Sequence, residues 1–153
     1  MTMRIIVDDL TGEAARNLIA LHLAGMHETS PAESVHALDV DALTSPEVTV
    51  WSAWRGAEIV GVGALKHLDG DRAELKSMRV DDRFRGTGAG RALLQHIMAE
   101  ARARGIRSLW LETGSEESFA PARGLYASEG FVECGPFEDY GPDPLSTFMT
   151  RAL

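Results

Sequence analysis

The chain has 153 residues, 44% hydrophobic and 25% charged, with a net charge of −8. That length predicts a single domain over residues 1–153, and no apolar run reaches the roughly 20 residues of a bilayer-spanning helix. The acidic balance argues against general nucleic-acid binding, and a lone cysteine, Cys134, excludes an internal disulfide framework and a cysteine-rich metal site. The N-terminus turns acidic at Asp8-Asp9, where a signal peptide needs a longer apolar core, so a cytoplasmic location is expected.

In chain order, residues 4–7 read as a strand. Residues 11–28 read as a helix with Ala14, Leu18 and Leu21 on one face and Thr11 as cap. Ser30-Pro-Ala-Glu33 is a capping box with proline at the first helical position, so a short second helix should start there and stop before Ser45-Pro46. Residues 48–54 and 58–66 are predicted strands joined by a hairpin at Arg55-Gly-Ala, and residues 72–80 form the next strand. A helix should open near Gly90 and end at Arg104, with Gly105 as its cap. Strand 108–113, helix 120–129 and strand 130–134 follow. A proline-rich irregular loop over residues 135–146 then leads to a last strand at 147–153. The order βααβββαβαββ is that of a mixed α/β (α+β) domain.

The segment Arg83-Phe-Arg-Gly-Thr-Gly-Ala-Gly-Arg91 lies between a strand and a helix. Glycines there admit positive φ and close approach, and a helix start presents unpaired N–H groups to an anion. From Lys76 to Arg91 five cations face two aspartates, a balance of +3 that leaves −11 elsewhere. This pattern predicts a small phosphorylated ligand rather than a polymer. No Gly-Lys pair exists for a nucleotide P-loop, and the sixth position from Gly86 is Arg91, which breaks the dinucleotide fingerprint.

The overlapping runs Arg83-Phe-Arg-Gly86-Thr-Gly88 and Arg85-Gly-Thr-Gly88-Ala-Gly90 resemble the coenzyme A turn of the GCN5-related N-acetyltransferases (GNAT). Leu125-Tyr126-Ala-Ser-Glu-Gly130-Phe131 is similar to a second segment of that family. Glu74-Leu-Lys-Ser-Met78 and Leu111-Glu-Thr-Gly-Ser115 look like a subgroup of acetyltransferases without an assigned acceptor. The resemblance implies a GNAT fold, with a twisted mixed sheet flanked by helices. It also implies acetyl-coenzyme A as cosubstrate, held by Met78, Arg79, Val80, Arg85, Gly86, Thr87, Gly88, Ala89, Gly90 and Arg91. It departs at Phe119, where family members often carry an asparagine that holds the pantetheine arm.

Acetyl transfer to an amine needs a proton acceptor, because an alkylammonium with a pKa of about 10.4 is unreactive at neutral pH. Glu74 is the first candidate general base and Glu112 the second. Tyr126 is the candidate general acid, and a main-chain N–H near Met78 the candidate oxyanion donor. The expected reaction is direct transfer to a primary amine of a small molecule, and the acidic remainder of the chain favours a cationic one. A protein N-terminus or lysine as acceptor, a non-catalytic coenzyme A sensor, and a homodimer stay open. The five histidines lack metal-ligand spacing, so no metal is expected; His27 and His36 flank the early helices, which shape the acceptor pocket in this family.

Overall fold

A computed structural model describes residues 3–29, 40–138 and 140–153. Seven strands form one sheet in the order β1-β2-β3-β4-β5-β7-β6: β1 (Arg4–Val7), β2 (Val48–Arg55), β3 (Glu58–Asp69), β4 (Arg72–Val80), β5 (Ser108–Gly114), β6 (Val132–Cys134) and β7 (Ser146–Ala152). The helices are α1 (Glu13–Thr29), α2 (Val40–Leu43), α3 (Ala89–Ala103) and α4 (Ala120–Ser128). The element order matches the sequence expectation. The predicted capping box at residues 30–33 and His36 lie outside the described residues.

Two apolar layers sandwich the sheet. Leu93, Leu94, Ile97 and Met98 of α3 pack with Tyr126 of α4 on Trp51, Val60, Leu75, Leu109 and Leu111. On the other face Ala15, Leu18 and Ile19 of α1 pack with Leu43, Val50, Val62 and Ala64. The buried stripe of α1 therefore runs through Ile19, whereas Leu21, expected on that face, is exposed. Thr11 does not act as a simple cap either: its hydroxyl donates to Asp9 Oδ1 at 2.7 Å.

All neighbours pair antiparallel except β4 and β5, which run parallel and touch through only three residue pairs, the last being Glu74↔Trp110. β4 continues six residues beyond that point to Val80, and β5 four residues to Gly114. Without cross-strand bonds to hold them, the strands diverge, because each then follows its other partner, β3 or β7. A V-shaped split opens in the sheet between Met78 and Leu111. Unpaired strand edges inside a protein need other hydrogen-bond partners, and a ligand that brings amides and carbonyls of its own supplies them.

Candidate active site

A bulge shapes the β4 wall of the split. Val62 pairs with Arg79 and Ala64 with Lys76, which leaves Ser77 and Met78 together opposite Gly63. Ser77 adopts φ +56°, the left-handed value that starts such a bulge. Glycine at position 63 lets the bulge pack closely: a Cβ there would lie 2.6 Å from Met78 Sδ and 2.8 Å from Ile97 Cδ1, so both side chains would have to shift. The bulge takes Ser77 and Met78 out of the ladder and resets the alternation of faces. Met78 and Val80 pack toward α3. Lys76 and Arg79 share the α1 face with their cross-strand partners Ala64 and Val62.

Beyond Val80 a short 3₁₀ turn, Asp82–Phe84, leads into the glycine segment. Gly86 and Gly88 have φ +75° and +86°, so both need glycine, and a Cβ at either would meet only open space. Gly88 is the N-cap of α3 and gives no side-chain cap. The first-turn N–H groups of Ala89, Gly90 and Arg91 are therefore left to an anion, at the positive end of a 15-residue helix. Gly90 serves another purpose: its Cβ position lies 3.3 Å from Val80 and 3.6 Å from Leu125, so α3, β4 and α4 meet there. That contact brings the Leu125-Tyr126 segment beside the glycine turn. The Thr87 hydroxyl is engaged with Phe84 O at 2.5 Å and braces the loop.

The basic patch inferred from the sequence is smaller in three dimensions. Arg85 pairs with Asp82 at 2.9 Å, Arg91 with Glu129 at 2.6 Å, and Arg83 with Asp81 at 3.1 Å. Lys76 turns away into the sheet. The arginine pairs are largely exposed and screened by water, so they yield readily to a phosphate.

Tyr126 is buried beneath α4, edge-on to Phe131 at 5.8 Å between ring centroids. Burial pushes its phenol well above the usual value, and its hydroxyl has no hydrogen bond among the described residues. Phe119, at the position of the family's asparagine, lays its ring directly on Gly114 at the end of β5. Arg123 fastens the same loop by donating to Gly114 O at 2.6 Å and Glu116 O at 2.9 Å. This end of the split is thus shaped by an aromatic ring instead of an amide.

Glu74 and Glu112 lie on one face at the closed end of the split, on β4 and β5. Glu74 is 4% exposed. Its Oε2 accepts from Lys76 Nζ at 2.9 Å and from the Tyr140 hydroxyl at 2.6 Å, and Lys76 Nζ also donates to the Tyr140 oxygen at 2.9 Å. Burial, then the charge of Glu74, drives the Tyr140 phenol far above its ordinary value, so it remains a donor. Glu112 Oε2 accepts from the Ser146 hydroxyl at 2.7 Å. Tyr140 stacks with Phe137 and Phe148, at 5.0 and 5.5 Å, which anchors the loop after β6 over this face.

Lys76, Tyr140 and His22 are the site residues that sequence reasoning missed. Lys76 counted only as one cation in a patch, and Tyr140 fell in a loop read as irregular. His22, on α1, carries no motif, yet burial, with the Arg79 charge, depresses its pKa to about 4 and keeps it neutral. Nothing is described of the His27 side chain.

Residues 15–131 match the model of the acetyltransferase (GNAT) family. The chain belongs to that family. It is 52% identical over 151 residues to the uncharacterized N-acetyltransferase YsnE of Bacillus subtilis, an alignment covering 99% of this chain and 100% of the relative. A Klebsiella pneumoniae structure described as an acyl-CoA N-acyltransferase superposes with a TM-score of 0.81 at 30% identity, covering 99% and 97% of the two chains. A Bacillus subtilis acetyltransferase in complex with CoA shares the fold, with a TM-score of 0.74 at 18% identity and 99% coverage of both chains. The GNAT assignment agrees with the glycine turn and the Leu125-Tyr126 segment from which the family was expected. Among the described residues no helix is long and apolar enough to cross a membrane.

Proposed function

We propose that this GNAT protein transfers the acetyl group of acetyl-coenzyme A directly to a primary amine of a small molecule. The observation that carries the donor is the uncapped start of α3 behind Gly86 and Gly88, where backbone N–H groups converge beside Arg85 and Arg91. This site fits a pyrophosphate, and the split below it fits an extended pantetheine arm. Arg85, Gly86, Thr87, Gly88, Ala89, Gly90 and Arg91 hold the pyrophosphate in this reading. The main chain of Met78, Arg79 and Val80 pairs with the arm.

The chemistry follows from what lies around the split. Glu74, with its Oε2 fixed by Lys76 and Tyr140, takes the ammonium proton directly or through water, and Glu112 is the second group able to do so. The freed amine attacks the thioester carbonyl, forming the C–N bond, and the oxyanion is met by the Met78 N–H that the bulge withdraws from the ladder. The nitrogen, cationic after attack, loses its second proton to water, and collapse of the intermediate breaks the C–S bond. Tyr126 then donates to the departing sulfur. Its buried phenol is a weaker acid than a free thiol, whose pKa is about 8.5, so full transfer runs uphill. The hydroxyl therefore acts first as a hydrogen-bond donor, and the thiolate is neutralised as the product meets water.

The test is amine-dependent release of coenzyme A thiol across an acceptor library, with acetylated products identified by mass. Turnover on protein N-termini or lysines alone replaces the small-molecule acceptor by a protein one. Binding of acetyl-coenzyme A with no turnover on any amine overturns the reading.

A further inference from the structure

The charges on the α1 face of β4 do not cancel pair for pair. Glu74 is neutralised by Lys76, with both side chains buried. Arg79, three residues on and brought to the same face by the bulge, has no such buried partner among the described residues. Its side chain is only 19% exposed, and among the described residues the carboxylate it meets is Asp82, at 3.5 Å. Asp82 is itself exposed and closer to Arg85, at 2.9 Å. Arg79 Nε is buried without a hydrogen bond, as is the Ser77 hydroxyl beside it on the bulge. His22 adds no charge, being held neutral next to the guanidinium.

A mostly buried guanidinium with a loose, shared counter-ion is costly to the protein on its own. Its planar fork matches a carboxylate, which accepts two parallel N–H bonds where a point charge would not. We infer that the acceptor amine also carries a carboxylate, seated on Arg79 beside His22. Its amino end points past the bulge toward Glu74 and the Met78 N–H. This inference rests on the acetyltransferase reading and deepens it by naming the acceptor's class. It reverses the expectation of a cationic acceptor drawn from the net charge of the chain. Local charge decides, because exposed carboxylates farther away than about 8 Å are largely screened at physiological ionic strength.

The experiment compares each amino acid with its own amide: 4-aminobutyrate, 6-aminohexanoate, leucine and 4-aminobenzoate against the matching carboxamides, read by thiol release. The free acid of at least one pair should exceed its amide in kcat/KM by roughly 10- to 100-fold, the scale of a charged hydrogen-bonded contact. Arg79→Met should collapse that ratio through KM of the acid, and Arg79→Lys should restore part of it. Circular dichroism and acetyl-coenzyme A calorimetry on each variant separate loss of fold or donor from loss of acceptor recognition. Amides turned over as well as acids, or an acid preference that survives in Arg79→Met, overturn the inference while leaving the acetyltransferase reading intact. Donor binding with no turnover of either series overturns both.

Discussion

Lys76→Met isolates the buried network at the closed end of the split. Lys76 and Glu74 have side chains 8% and 5% exposed and meet at 2.9 Å. Removing the ammonium leaves the Glu74 carboxylate buried with, among the described residues, the Tyr140 hydroxyl at 2.6 Å as its remaining donor. Breaking a buried pair from one side costs about 3–5 kcal/mol, because the remaining charge keeps its desolvation penalty. The surviving Tyr140 bond places this case at the low end, about 3 kcal/mol. For a chain of this size each kcal/mol lowers Tm by about 2–4 °C, so the variant should melt about 6–12 °C below the parent. The double variant Glu74→Gln/Lys76→Met removes both charges and should recover most of that loss. Urea and thermal unfolding of the four proteins complete the cycle. A single-variant cost under about 1 kcal/mol, the range of exposed pairs, or no recovery in the double variant, refutes the account of this triangle as a desolvated ion pair.

The remaining predictions concern turnover, donor binding and pH. Tyr126→Phe should lower kcat by about 10²-fold while leaving acetyl-coenzyme A affinity near that of the parent, measured by steady-state kinetics and calorimetry; an unchanged kcat removes the donor role. Gly88→Val, forced to φ +86° at the N-cap of α3, should lose detectable acetyl-coenzyme A binding with near-normal far-UV dichroism, and retained binding contradicts the pyrophosphate site. Asp82→Asn releases Arg85 and Arg79 from a shared carboxylate and should tighten donor binding a few-fold, an effect that shrinks with salt. His22 has a folded pKa of about 4 against about 6.5 unfolded. Its neutral form therefore contributes stability that is present above pH 6.5 and is lost as pH falls toward 4. His22→Gln should flatten the acid limb of Tm against pH, and parallel curves for the two proteins would count against the buried imidazole.

How much was legible in the sequence depended on whether a feature is local. Gly86 and Gly88 stand where the backbone needs positive φ, and glycine is the residue type that signals this from sequence alone. Strand and helix spans followed from periodicity and turn residues, and Gly105 marked the end of α3 with φ +81°. The split is not legible locally, since nothing in the residues of β4 or β5 says that pairing stops at Glu74↔Trp110. The bulge was hidden too: Ser77 is an ordinary strand residue in sequence, and nothing local to it signals a φ of +56°. Lys76 and Tyr140 are 64 residues apart, a separation no motif spans. Charge counting overstated the patch for the same reason, because it cannot see that Glu129 sits against Arg91 or that Lys76 is spent on Glu74.

Glu74→Gln and Glu112→Gln, singly and together, test the proposed base through kcat/KM against pH. Unchanged profiles in all three remove the carboxylates from the chemistry.

The most direct measurement of the central claim is single-turnover acetyl transfer on the purified protein. Acetyl-coenzyme A is supplied at a stoichiometric amount with an amine library, and free thiol and acetylated amine are quantified together. The account predicts one acetyl-amine formed per thiol released, with no release when amines are omitted. Thiol release at the same rate without amine, or tight acetyl-coenzyme A binding with no product on any amine, would contradict it.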